Sequence, residues 1–179
     1  MTSRLATPTL ETERFILRPL VREDAEAFYP TLSDPEQCAF LLQPAFSSID
    51  QLADWLCDRE WDGRSWTAVD RENDECVARL VAVPAGDQQS GIGYITAAHR
   101  QGEGIAKECA GELMRYLFEA EQHHRLTAGT DPQNSASNRV LEKLGFRREA
   151  HFVKSVKTHM GWCDEYIWAL LRSDWQARQ

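Results

Sequence analysis

Two short stretches hold residue types that can do chemistry. The first is His99-Arg100-Gln101-Gly102-Glu103-Gly104, with two glycines where a helical pattern is about to begin. Glycine costs a helix about 1 kcal/mol relative to alanine, so its use there needs a reason. A helix start leaves backbone N–H groups unpaired and carries partial positive charge. Phosphate is the usual occupant of such a start. Glycines let the chain turn tightly and approach an anion without an intervening Cβ. Arg100 adds a formal charge beside the turn. The motif alone is ambiguous. A dinucleotide fingerprint needs GxGxxG after a first strand, whereas this is GxG in mid-chain. A triphosphate loop needs GxxxxGK and then Ser or Thr, which this stretch lacks. A plain tight turn remains the alternative.

The second stretch is Asp131 to Phe146, about thirty residues on, with Asn134, Ser137 and Arg139 near the start of another helix. The elements around both stretches follow from periodicity. Glu13 to Leu20 reads as a first strand, followed by a short helix with Asp24 near its start. Ile49, Leu52, Ala53 and Leu56 recur at helical spacing after Ser48, a suitable cap. "SWTAVD" and "ECVARLVAV" flank a turn-rich segment and read as a hairpin, and Gly91 to Ala98 reads as the next strand. The stripe Ile105, Cys109, Leu113, Leu117 and its neighbour Ala106, Ala110, Met114, Phe118 predict a helix over about 102–120. Leu126 to Asp131 is a short strand, a helix follows to Gly145, and strands near 147–157 and 164–171 close the chain. Strands bracketing a helix predict a parallel pair joined by a crossover.

With both stretches in place, Gly91 to Phe146 resembles the GNAT superfamily of acetyl-CoA-dependent N-acetyltransferases. His99 to Gly104 resembles its pyrophosphate motif, and Asp131 to Phe146 is most similar to the branch of ribosomal-protein N-terminal acetyltransferases. The resemblance implies one GNAT-like α/β (α+β) domain over 1–179, with a mixed twisted sheet of about six to seven strands and about four helices. It implies acetyl-CoA as acetyl donor, with its pyrophosphate on the turn of Arg100, Gln101, Gly102, Glu103, Gly104, Ile105 and Ala106. The pantetheine arm would run beside Tyr94, Ile95 and Thr96, whose backbone N–H groups could also stabilise the oxyanion. Asn134 would bond the pantetheine or the reacting region, and Arg139 would reach the outer phosphates. Two departures stand out. The first motif position is His99, where the family prefers Gln or Arg. The tyrosine that often protonates the departing thiolate, seven residues after the asparagine, is replaced by Leu141, so Ser137 becomes the candidate acid. Its alternative role is that of a helix-start residue bonding backbone.

The expected reaction moves an acetyl group directly to a primary amine, either a protein N-terminal α-amine or a small cationic amine. A base is harder to assign: His159 competes with a plain surface role, Glu165 with an outward projection from the last strand, and Glu108 is expected too far along the first helix face. A non-catalytic acyl-CoA binding module is the other class of reading. Net charge is −8 over 179 residues, which excludes nucleic acid as an expected partner. Between Asp50 and Glu75 there are nine acidic residues against three arginines. Asp50, Asp54 and Asp58 recur every four residues and are expected on one helix face, either solvated or drawing a cationic acceptor. The five cysteines are odd in number and lack CxxC spacing, which argues against a disulfide framework or a zinc site. His123 and His124 lack ligand company, so no metal is expected, and both read as loop or surface residues. No apolar run approaches the roughly 20 residues of a membrane helix, and "MTSRLATPTL" lacks a signal-peptide core. The expectation is a cytoplasmic protein, monomer or homodimer, with no membrane partner.

Overall fold

The computed structural model describes residues 6–178; the first five residues of the N-terminal stretch read above lie outside the described residues. Among the described residues, eight strands form one sheet: β1 (Leu10–Glu11), β2 (Phe15–Pro19), β3 (Arg64–Asp70), β4 (Cys76–Gly86), β5 (Gln89–Thr96), β6 (Arg125–Thr130), β7 (Arg147–Thr158) and β8 (Gly161–Leu171). Five α-helices among the described residues accompany them: α1 (Ala25–Leu32), α2 (Ile49–Leu56), α3 (Ile105–Glu119), α4 (Ser135–Leu144) and α5 (Arg172–Gln176). Sheet order is β1-β2-β3-β4-β5-β6-β8-β7. This is the expected mixed α/β fold with slightly more elements: β1 is two residues long and α5 five, too short to leave a periodic pattern. α3 begins at Ile105 rather than near 102, because Gly102 and Gly104 adopt left-handed φ values of 85° and 80°.

Antiparallel pairing runs from β1 to β5, and β5 then pairs in parallel with β6 across the α3 crossover. Both faces of the sheet are covered. On one face, Phe15, Leu17, Trp66, Leu80, Ile92, Leu126 and Trp168 pack with the α3 stripe of Ile105, Cys109, Leu113 and Leu117. On the other, α1 and α2 bury Phe28, Leu32, Leu52 and Leu56. Asp24 is part of the scaffold. It is buried and takes hydrogen bonds from Arg18, Thr67 and the Val21 amide, which ties α1 to β2 and β3. Those bonds hold its carboxyl below the usual range although burial alone would raise it.

Two expectations need correction. α2 ends at Leu56, so Asp58 lies beyond the helix, where its Oδ1 accepts from the Glu60 amide at 2.9 Å. Asp54 is ion-paired to Arg22 at 2.7 Å. A single acidic helix face therefore does not form. His123 lies in the α3–β6 loop but is not solvated: its side chain is largely buried and its Nε2 lies 2.9 Å from Ser90 Oγ, near the N-terminal end of β5.

Candidate active site

The pairing of β5 with β6 stops early. Gln89, Ser90 and Gly91 pair with Arg125, Leu126 and Thr127, and beyond that level the two strands part. The remainder of β5, Ile92 to Thr96, stays paired with β4 on its other side. The Ala97 amide bonds Val77 of β4, so strand alternation turns the backbone groups of Ile92, Tyr94 and Thr96 toward the gap. This wedge leaves the Ile92 carbonyl and both backbone groups of Tyr94 without a strand partner, as an open sheet edge does, while the Thr96 carbonyl takes a long bond from Gln101 Nε2 at 3.5 Å.

A cleft of about 490 Å³ runs from the wedge to the start of α3. Tyr94, Ile95 and Thr96 line it from β5; Arg100, Gln101, Gly102, Gly104 and Ala106 line it from the turn and α3. Asn134, Ser137 and Arg139 line it from α4. The structure thus brings together two stretches that lie thirty residues apart in the chain. The first intrahelical bond of α3 runs from the Glu108 amide to the Gly104 carbonyl at 3.1 Å. The amides before it point outward from a helix start, the geometry that receives a pyrophosphate. A Cβ at Gly102 would meet nothing within 4 Å, so glycine is required there by the positive φ rather than by crowding.

Arg100 lines the cleft with its guanidinium already engaged within the protein. Its guanidinium bonds Asp70 at 2.9 Å, Glu75 at 2.5 Å and Glu103 at 2.9 Å, and those contacts raise its pKa. Its charge is consumed in fixing the turn, and the Glu103 side chain is spent on the same network. Glu75 also holds His99 at 2.5 Å. Ile105 contributes backbone only, since its side chain is fully buried in the core. Cations missed in the sequence stand at the rim instead: Lys107 on α3 and Lys143 on α4 line the cleft together with Arg139. Arg139 and Lys143 are four residues apart on α4, so they share a face; that spacing was the available signal. The segment after α1 also contributes, with Phe40 and Leu41 in the wall.

Asn134 caps α4: its side-chain oxygen accepts from the Ser137 amide at 3.1 Å. Its Nδ2 has no partner among the described residues and is available to a ligand. The Ser137 hydroxyl lies 3.0 Å from Tyr94 Oη, which also donates to the Ser137 carbonyl at 3.1 Å. Burial pushes the Tyr94 phenol up to about 12, against the lowering effect of its bond with Ser137. It stays protonated at neutral pH. The sequence offered no tyrosine on α4; the fold supplies one from β5.

The base candidates part company. Glu108 is engaged by Thr12 at 2.7 Å and by Arg14 at 2.8 Å, and so is structural. His159 is exposed at the β7–β8 turn, with Nδ1 3.2 Å from the Leu41 carbonyl and its amide on the Leu42 carbonyl. It fastens the hairpin tip to the segment after α1. Glu165 is half-buried on β8 and makes no hydrogen bond or ion pair among the described residues; burial alone raises its carboxyl.

Residues 14–147 match the family model of the acetyltransferase (GNAT) domain. The chain belongs to the GNAT acetyltransferases. This acetyltransferase is 28% identical over 167 residues to an uncharacterised N-acetyltransferase of Bacillus subtilis, YnaD, covering 93% of this chain and 98% of the relative. It is 30% identical over 84 residues to the ribosomal protein uS5-alanine N-acetyltransferase of Escherichia coli, covering 47% and 43% of the two chains. Among solved structures, a GNAT-family acetyltransferase from Bacillus anthracis superposes with TM-score 0.86 at 24% identity, over 93% of this chain and 99% of the other. A spermidine N-acetyltransferase from Vibrio cholerae, in complex with CoA and spermine, gives 0.79 at 18%, over 92% and 99%. At those identities the structural likeness speaks for the fold. The family supplies the chemistry: this enzyme is an N-acetyltransferase that takes its acetyl group from acetyl-CoA.

Proposed function

We propose that the enzyme acetylates a primary aliphatic amine, a protein N-terminal α-amine or a small cationic amine, by direct transfer across the β5–β6 wedge. The observation that carries this reading is the parting of β5 and β6 after Gly91 and Thr127, with Tyr94 and Ser137 beside the gap. Amides of Gly102 to Ala106 hold the donor's pyrophosphate, the Gln101 amide being bonded to the Ala98 carbonyl at 3.4 Å, and Lys107, Arg139 and Lys143 take its outer phosphates. Backbone groups of Ile92, Tyr94 and Thr96 pair with the pantetheine arm, joined by Asn134 Nδ2. An N–H of that strand, in place before the reaction, stabilises the oxyanion. Holding both reactants in line supplies much of the rate.

Ser137 delivers a proton to the departing sulfur, and Tyr94 sets which way that proton points. When the single Tyr94 hydrogen turns from the Ser137 carbonyl to Ser137 Oγ, the serine hydrogen is free to face the sulfur. Five unpaired cysteines fit a reducing compartment, and we place the enzyme in the cytoplasm. The test is thiol release from acetyl-CoA with spermidine, free lysine and short peptides beginning with Ala or Ser. Release with at least one of them is expected. Tight acetyl-CoA binding with no turnover on any would favour a non-catalytic acyl-CoA module.

A further inference from the structure

Residues of α3 and α4 line the donor cleft on one face of the wedge, which leaves the opposite face as the approach for an acceptor. Strand alternation assigns the residues of that face. On β5 they are Gly91, Gly93 and Ile95, because Ser90, Ile92 and Tyr94 turn toward α3, α4 and the core beneath them. On β6 they are Thr127 and Gly129, because Leu126 and Ala128 are in that same core and Thr130 bonds Asn138 of α4. Parallel pairing ends at Gly91 and Thr127. One step further along, where the strands part, each wall of the gap carries a glycine: Gly93 on one side and Gly129 on the other. The mouth of the wedge is bare backbone.

One ionisable side chain lies over that mouth. Tyr166 of β8 pairs with Thr130, so Glu165 and Ile167 project to the acceptor face. Glu165 leans back along β6 until its Oε1 covers Gly129; a Cβ there would come within 2.6 Å of it. The other charged groups around this face are engaged or distant. Arg125 of β6 and Arg147 of β7 both pair with Glu149, toward the opposite end of those strands. Asp164 turns to the other face, held by His151 and the Lys154 amide. β5 contributes no charge, the β7 residue opposite Glu165 is Phe152, and His159 is tied to the Leu41 carbonyl. Glu36, from the segment after α1, lines the donor cleft. A half-buried carboxylate without a partner calls for a cation.

We propose that Glu165 receives the acceptor's ammonium group at the glycine-walled mouth of the wedge and takes its proton before attack. This rests on the amine-acetylation reading above. One proton passes from the ammonium to the Glu165 carboxylate. The neutral nitrogen then forms the N–C bond, placing charge on the carbonyl oxygen, and the C–S bond breaks as that oxyanion collapses. The sulfur takes a proton from Ser137, which recovers one from the second N–H lost by the new amide. Glu165 returns its own proton to water. The raised carboxyl pKa of Glu165 brings it closer to that of an amine, which favours transfer.

The experiment compares wild type with Glu165→Gln, nearly the same size, and Gly129→Ala, which displaces the carboxylate while keeping it in the chain. Spermidine and Ala- or Ser-initiated peptides are the probes. Acetyl-CoA affinity is read separately by calorimetry. Glu165→Gln should lower acceptor kcat/KM by about 10²-fold or more at neutral pH. The deficit should shrink as pH rises toward the acceptor's own pKa, about 8 for an α-amine and about 10.4 for a lysine-like one. Gly129→Ala should show the same trend, and acetyl-CoA affinity should hold in both. A loss under about threefold in Glu165→Gln, or a deficit that is constant with pH, overturns the role. If wild type binds acetyl-CoA but turns over none of the probes, the amine reading itself falls, an outcome distinct from an active enzyme indifferent to Glu165.

Discussion

Ser137 and Tyr94 share one hydrogen-bonded pair, so their substitutions should not act independently. Ser137→Ala is expected to lower kcat by about 10²-fold with little change in acetyl-CoA affinity; a loss under about threefold would return Ser137 to a helix-start role. Tyr94→Phe should also lower kcat, and the double variant should cost less than the two single losses combined, because both remove the same proton path. Steady-state kinetics on the three variants decides it. At the phosphate turn, Gly102→Asp forces a left-handed φ of 85° on a side chain and sets a negative charge before the helix start. Acetyl-CoA Kd should rise at least about tenfold by calorimetry, equivalent to about 1.4 kcal/mol. Unchanged affinity in the folded variant would remove the pyrophosphate from this turn.

Two helices place these groups, and each start is built differently. α3 begins on a left-handed glycine with no side-chain cap, which leaves its amides to a ligand. α4 begins on Asn134, whose side chain takes the Ser137 amide. Asn134→Ala should therefore cost about 1 kcal/mol of stability, read as a denaturant midpoint shift. It should lower turnover as well, since the loosened first turn carries Ser137. α2 is a contrasting case. Asp54 is paired to Arg22, Asp58 lies outside the helix, and none of Asp50, Asp54 and Asp58 lines the cleft. Asp54→Asn should leave acceptor KM unchanged at low ionic strength, and a clear rise there would show that its field reaches the acceptor.

For the molecule as a whole, stability toward acid should depend on buried carboxylates. Asp24 is 3% exposed and joins β2, α1 and β3 through Arg18, Val21 and Thr67. Its folded pKa is depressed below the usual Asp value of about 3.9. The stability it contributes is therefore present above about pH 4 and is lost as pH falls through the folded value. Asp24→Ala should cost about 3 kcal/mol at neutral pH, because it leaves Arg18 and Thr67 without their partner. The difference from wild type should shrink as the pH is lowered below about 4, where wild type loses the same interaction. Denaturant unfolding at several pH values tests this.

Local pattern alone sufficed for much of this protein. The α3 stripe, the Gly145 stop and the β3–β4 hairpin are short-range features, set by periodicity and by the φ preferences of single residues, and they stand where the sequence placed them. The glycine turn was legible for the same reason, since its conformation is a property of Gly102 and Gly104 themselves. Partners distant in the chain were not. Arg100 reads as a free cation in sequence, yet Asp70 and Glu75, twenty-five to thirty residues earlier, neutralise it across the sheet. His123 looks solvated until β5 brings Ser90 to it. Tyr94 reads as a strand residue until α4 sets Ser137 against its hydroxyl. Where β5 and β6 part, and hence which side chains face the gap, depends on strand register and twist. Those are long-range properties of a sheet, and only the folded chain determines them.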